Sequence, residues 1–176
     1  MKATGVIRRI DELGRIVIPK ELRKNLRIKE GENIEIYTND NESIVLKKFS
    51  SLKNINDLAD NIVYTIYSNT KINTLLFDND TVIAYSGKTK KDYIYKTLGS
   101  SLVELINGKK NKLNNVSEVI EIVSGKKDDV RYNLNLIKQN GDVIGGILLF
   151  SNEYDLDNTR LLLDSFSNFL EKYIEY

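Results

Sequence analysis

Residues 1–50, MKATGVIRRIDELGRIVIPKELRKNLRIKEGENIEIYTNDNESIVLKKFS, decide how this chain is organised. Residues 1–29 hold nine Lys and Arg against three Asp and Glu, while the whole chain of 176 residues carries a net charge of +1. Residues 4–10 alternate loosely in polarity. Asp11-Glu12-Leu13-Gly14 then reads as a turn in which Gly14 is free to take a positive φ. Residues 15–18, RIVI, are a β-branched run with strand character. Pro19 suits the start of a helix over residues 20–25, because the first helical position tolerates a missing N–H. Leu22 and Leu26 share one face of that helix, and Arg23 and Arg27 share another. Gly31 breaks the chain before a hairpin of residues 34–37 and 44–46 about the Asn39-Asp40-Asn41 turn.

Taken singly, Arg8, Arg9, Arg15, Arg23, Lys24 and Arg27 could each be a solvated surface charge. Together they converge on one unit of roughly fifty residues, too small to bury an adequate core alone. Pairing with a second copy would complete the core and present two basic faces, as a two-fold duplex site requires. Core arithmetic thus predicts a homodimer. The charge predicts double-stranded DNA as partner, since phosphate contacts supply much of the affinity of DNA binders.

The run KATGVIRRIDELGRIVIPKELR, residues 2–23, resembles the swapped-hairpin DNA-binding domain of the AbrB-type transition-state regulators. The resemblance implies an intertwined β-barrel dimer in which two chains interleave their hairpins. It places DNA contacts on Arg8, Arg15 and Arg23. The next basic position holds Lys24 where arginine is common in the family. Lysine keeps the charge but loses the bidentate fork, which assigns Lys24 to phosphate rather than a guanine edge. Arg9 and Lys2 complete the DNA-binding set. The family's degenerate, often A/T-rich sites imply readout that draws on DNA deformability and groove width. The same fold family includes antitoxins, so the alternative is a protein-interaction module whose basic face binds a partner protein. The structured remainder of the chain argues against it, antitoxins usually being shorter with an extended tail.

Residues 51–176 read as a second, α+β domain. Leu52, Ile55, Leu58, Ala59, Ile62, Val63 and Ile66 recur at steps of three and four, predicting a helix from Ser50-Ser51. Residues 73–77 and 81–85 read as strands about an Asp78-Asn79-Asp80 turn. Ser101 and Glu104 have the spacing of a capping box for a helix over residues 102–106, and residues 107–115 read as a Lys- and Asn-rich loop. Strands follow over 118–123, 130–137 and 143–150, the last two joined by Gln139-Asn140-Gly141-Asp142. Gly145-Gly146 would permit a bulge or a close approach by another element. Asp155 or Asp157 can cap a terminal helix carrying Leu162, Phe166, Phe169, Leu170 and Tyr173.

This order resembles a GAF domain, an antiparallel sheet flanked by helices. The whole chain, length included, is similar to the sporulation regulators of the AbrB type. That resemblance implies a regulator of forespore genes, activator or repressor, dimeric through residues 1–50 and tetrameric through residues 51–176. Leu52, Ile55, Ile62, Ile66, Leu162, Phe166, Phe169 and Tyr173 are the candidate oligomerisation residues, although packing within the subunit explains them equally well. A small effector at the GAF-like domain would be lined by Tyr85, Tyr93 and Tyr132, for which a place in the aromatic core is the competing reading.

The chain has no Cys and no His, which excludes disulfides, thiolate nucleophiles, imidazole acid–base chemistry and most zinc and iron sites. No cofactor or metal is expected and no enzyme activity. Asp78, Asp80 and Asp92 have the spacing of turn and helix-start residues rather than of a metal triad. No apolar run approaches eighteen residues and residues 1–5 lack an apolar leader, so the expected place is the cytoplasm; the resemblance implies association there with the nucleoid of the forespore.

Overall fold

The computed structural model describes residues 5–39, 43–89 and 92–174. The chain divides into two compact units, Met1–Phe49 and Ser50–Tyr176. In the first, Pro19 (φ −57°, ψ 147°) precedes α1, Lys20–Asn25. Its carbonyl accepts Arg23 N–H at 2.9 Å, the first bond of the helix. Strands β1 (Ile34–Asn39) and β2 (Ser43–Lys48) pair antiparallel, from Ile34 opposite Lys48 to Asn39 opposite Ser43. The centre of the expected turn, Asp40 and Asn41, lies outside the described residues.

Residues 15–18, read above as a strand, and the loosely alternating residues 5–10 form no ladder in this chain. Their β-branched residues favour extension, but a strand needs a partner. Between backbone groups of the described residues, the turn supplies Asp11 N–H to Arg15 O at 3.0 Å and Gly14 N–H to Asp11 O at 2.9 Å.

The second unit is the expected antiparallel sheet flanked by helices. A 3-10 turn over Ser51–Ile55 leads into α2, Asn56–Thr70. There follow β3 (Asn73–Asp78), β4 (Val82–Ser86), α3 (Ser100–Asn107), β5 (Lys112–Val123), β6 (Lys126–Gln139), β7 (Asp142–Ser151) and α4 (Arg160–Ile174). The sheet order is β4-β3-β7-β6-β5. Strand periodicity divides its side chains between two faces. Leu75, Phe77, Tyr132, Leu134, Leu148 and Phe150 pack with Leu102 and Ile106 of α3. Leu76, Ile137, Ile147 and Leu149 pack with Ala59, Ile62, Val63 and Ile66 of α2 and Leu163 and Leu170 of α4. The terminal helices therefore share one face.

Three local expectations are corrected. Residues 112–115 belong to β5 rather than to a loop, because β5 and β6 form a long hairpin whose pairing extends from Val123 opposite Lys126 to Lys112 opposite Leu134, with a register shift between Asn114 and Glu118. The capping box at Ser101 and Glu104 does not form. Helix α3 is capped instead from β5, where Glu121 Oε2 accepts Ser100 N–H at 3.1 Å and Ser100 Oγ–H at 2.5 Å. Before α4, Asp157 lies in a 3-10 turn of its own, Asp157–Thr159, and Asp155 Oδ1 accepts its N–H at 3.1 Å. Gly145 and Gly146 serve both purposes foreseen for them. The register shifts between Ile137 and Lys138 opposite them, and a Cβ on Gly146 would sit 2.7 Å from Asn135 O and 2.8 Å from Phe77 Cζ.

Candidate nucleic-acid interface

The basic face is built on a turn, one short helix and the extended segments beside them. Arg8 and Arg9 are exposed on residues 5–10. Arg15 is held at the end of the turn, where its Nε donates to Asp11 Oδ2 at 2.7 Å. Arg23 and Lys24 form the last turn of α1, whose C-terminal end favours cations. Lys24 is exposed and Arg23 half-buried. Arg23 Nε is buried without a hydrogen-bond partner among the described residues. Lys2 lies outside the described residues.

The unit also holds an apolar trough of about 310 Å³, lined by Ile16, Ile18, Leu22, Leu26, Ile28 and Leu46 among others, with Arg8 in its wall. No described residue of this unit is fully buried. Ile7 is 88% exposed, Val17 72% and Ile36 68%, values that belong to an unfinished core rather than to a finished surface. A half-buried ion pair fixes the turn after α1 against β2. Lys48 Nζ lies 3.0 Å from Glu32 Oε1 and donates to Arg27 O at 3.2 Å, and Glu32 Oε2 accepts Lys29 N–H at 2.8 Å. The unit thus holds its shape locally while leaving its apolar side uncovered.

Residues 54–175 match the family described as stage V sporulation protein T C-terminal, transcription factor. Stage V sporulation protein T of Bacillus subtilis (strain 168) is 34% identical over 177 aligned positions, which cover 99% of each chain. The chain belongs to the stage V sporulation protein T family. Its first unit also matches, over residues 7–52, the family described as antidote-toxin recognition MazE, bacterial antitoxin. Transition state regulatory protein AbrB of Bacillus subtilis (strain 168) is 57% identical over 49 residues, 28% of this chain and 50% of AbrB. The solved N-domain of the transcription factor abrB is 56% identical and aligns over 28% of this chain and 94% of its own length, with a TM-score of 0.27.

The second unit holds the candidate oligomerisation residues and the three candidate effector tyrosines. Of the helix stripes, Leu52, Ile62 and Ile66 are buried in the subunit's own core, which removes them from any surface. Ile55, Leu162 and Phe166 are half-buried. Phe169 and Tyr173 on α4 remain about half exposed, their rings 5.9 Å apart. Leu161 and Tyr64, which the sequence reading passed over, are more exposed than either.

Tyr85, Tyr93 and Tyr132 are all buried in the cluster on the α3 side of the sheet. Tyr85 and Tyr93 stack at 4.9 Å, and Tyr93 meets Phe150 at 5.2 Å. Each hydroxyl has an internal acceptor: Asn73 Oδ1 for Tyr85 at 3.1 Å, Asp128 Oδ1 for Tyr93 at 2.9 Å and Glu118 Oε1 for Tyr132 at 2.5 Å. Burial, with the neighbouring Asp128 carboxylate, pushes the Tyr93 phenol well above its ordinary range. Lys126 closes over this ring, its Nζ 4.0 Å from the centroid and 3.0 Å from Asp92 Oδ2. The competing reading of these tyrosines, as core residues, describes where the structure puts them.

Proposed function

We propose that the chain is a sequence-specific DNA-binding transcription regulator of sporulation genes, acting as a homo-oligomer. The observation that carries this reading is the exposed basic set Arg8, Arg9, Arg15 and Lys24 on a unit whose apolar trough is open in the single chain. A second copy that inserts its hairpin would pair residues 5–10 and 15–18 as strands, cover the trough and offer an acceptor to Arg23 Nε. The product is a two-fold unit with two basic faces. Arg8, Arg15 and Arg23 would meet the groove and Lys24, Arg9 and Lys2 the backbone. The division of labour follows the two compact units, with residues 1–50 binding DNA and residues 51–176 joining dimers into tetramers through Phe169, Tyr173 and their half-buried neighbours Phe166 and Leu162. The place of action is the nucleoid of the forespore cytoplasm. Control by a small effector at Tyr85, Tyr93 and Tyr132 would require their rings to move, because they fill the space themselves.

The test is selection of duplexes from a random pool by the full-length chain, followed by sequencing. An enriched, roughly two-fold motif supports the regulator. The match of residues 7–52 to an antitoxin family gives the second reading its observation. A tight protein partner that co-purifies and abolishes duplex selection would establish that reading instead.

A further inference from the structure

We propose that Asp11 is a positioning residue for Arg15, and that the pair sets how strictly the N-terminal unit discriminates between duplexes. This rests on the DNA-binding reading above. Asp11 Oδ1 accepts Leu13 N–H at 3.0 Å and Arg15 N–H at 2.8 Å, so one carboxylate oxygen is fixed to the turn by two backbone donors. The second oxygen is thereby presented to the Arg15 side chain, whose Nε it holds at 2.7 Å. An arginine engaged at Nε still has its terminal nitrogens to offer as a fork to a base edge or a phosphate.

The pair is solvent-exposed, with side-chain exposures of 71% for Arg15 and 42% for Asp11. Exposed pairs of this kind add little to folding stability. Their effect falls on where the cation points. A tethered, unguided arginine lands on the nearest phosphate, which carries no sequence information. A guided one enters the duplex already oriented, and loses less side-chain freedom on binding. The carboxylate acts a second time through its sign. The hydrogen bonds from Arg15 backbone and side chain hold the Asp11 carboxyl below the ordinary carboxylate range, so it is ionised at neutral pH. An anion within reach of the backbone disfavours phosphate-only docking, and such a repulsive element raises specificity at a cost in general affinity.

The decisive variant is Asp11→Asn. Its side-chain oxygen can still accept both turn N–H groups, while the acceptor for Arg15 Nε and the charge are lost. Full-length parent and variant are titrated by fluorescence anisotropy against a 30-bp duplex selected by the parent and a shuffled duplex of equal composition. The expected result is a loss of about tenfold on the selected duplex, the worth of one guided base-edge contact. On the shuffled duplex affinity is kept or raised, with a salt slope steeper by about one as Arg15 settles on phosphate. In an Arg15→Ala background the same substitution should change the ratio of the two affinities far less, since the guided group is gone and only the effect of the charge remains. An unchanged ratio in the single variant, at unchanged melting temperature and oligomer mass, overturns the proposal. So does an equal loss in the Arg15→Ala background, which would place the effect in the turn itself. A parent that binds neither duplex removes the DNA reading, and this inference with it.

Discussion

Gly146 lies where three parts of the second unit meet, and adding one methyl group there has a calculable effect. The Cβ of Gly146→Ala would stand 2.7 Å from Asn135 O on β6, and 2.8 and 3.3 Å from Cζ and Cε1 of Phe77 on β3. Carbon–oxygen contacts in sheets lie at about 3.3 to 3.6 Å, so β6 and β7 must part by roughly 0.6 Å or more at this point. Phe77 is fully buried in its cluster and has no open side to rotate into. Overpacking of a tight core costs about 1 to 3 kcal/mol, and a weakened ladder bond adds to it. We expect a loss of about 2 kcal/mol, or roughly 7 °C in the melting temperature of a domain of this size. The assay is denaturation followed by circular dichroism in urea, where the midpoint should fall at an unchanged slope. A midpoint within about 0.5 kcal/mol of the parent would refute the reasoning, and would mean that strands β6 and β7 separate at little cost.

Other expectations concern charge and assembly. Lys24→Ala should lower duplex affinity across sequences and flatten its salt dependence by about one, read from anisotropy at several salt concentrations. Phe169→Glu with Tyr173→Glu should reduce the oligomer to dimers with secondary structure intact, as measured by sedimentation; a mass equal to the parent's would remove this part of α4 from the interface. Glu121 is held down to about 2 by the Ser100 hydroxyl and by the N–H groups of Gly125 and Ser100. Its folded value lies below its unfolded one, so its stabilisation is complete above about pH 4.5 and is lost as pH falls toward 2. Glu121→Gln should therefore flatten the acid limb of stability over that interval, measured by urea titration at each pH.

The order of elements was legible in the sequence because each relies on a local signal. Short apolar runs between turns marked β3, β4, β6 and β7, the Asn140-Gly141 turn marked their last hairpin, and steps of three and four marked α2 and α4. Contacts made at a distance left no such signal. Glu121 caps α3 from β5, and nothing near Ser100 announces it. Asn133 and Asn135 interrupt an apolar strand because they serve the 3-10 turn before α4 and α4 itself. Asn133 donates to Leu156 O at 3.0 Å and Thr159 Oγ1 at 2.9 Å, and Asn135 donates to Asp164 Oδ1 at 2.7 Å. The stripes on α2 and α4 showed that apolar faces exist but not which residues on them reach the surface. For that reason Leu52, Ile62 and Ile66 stood beside Phe169 and Tyr173 until burial separated them. In the N-terminal unit the basic positions were readable, while the hold of Asp11 on Arg15 was not. The turn explains Asp11 well enough by itself, and only the position of its second oxygen shows the other role.

The measurement that bears most directly on the whole account is duplex binding by the full-length chain across a salt series, with the mass of the bound species recorded. The account predicts an even-numbered oligomer whose affinity falls steeply as salt rises, with a logarithmic slope of several units, since several cations meet phosphates at once. A folded chain of the same mass that binds none of the selected, A/T-rich or promoter-derived duplexes at low salt would contradict it.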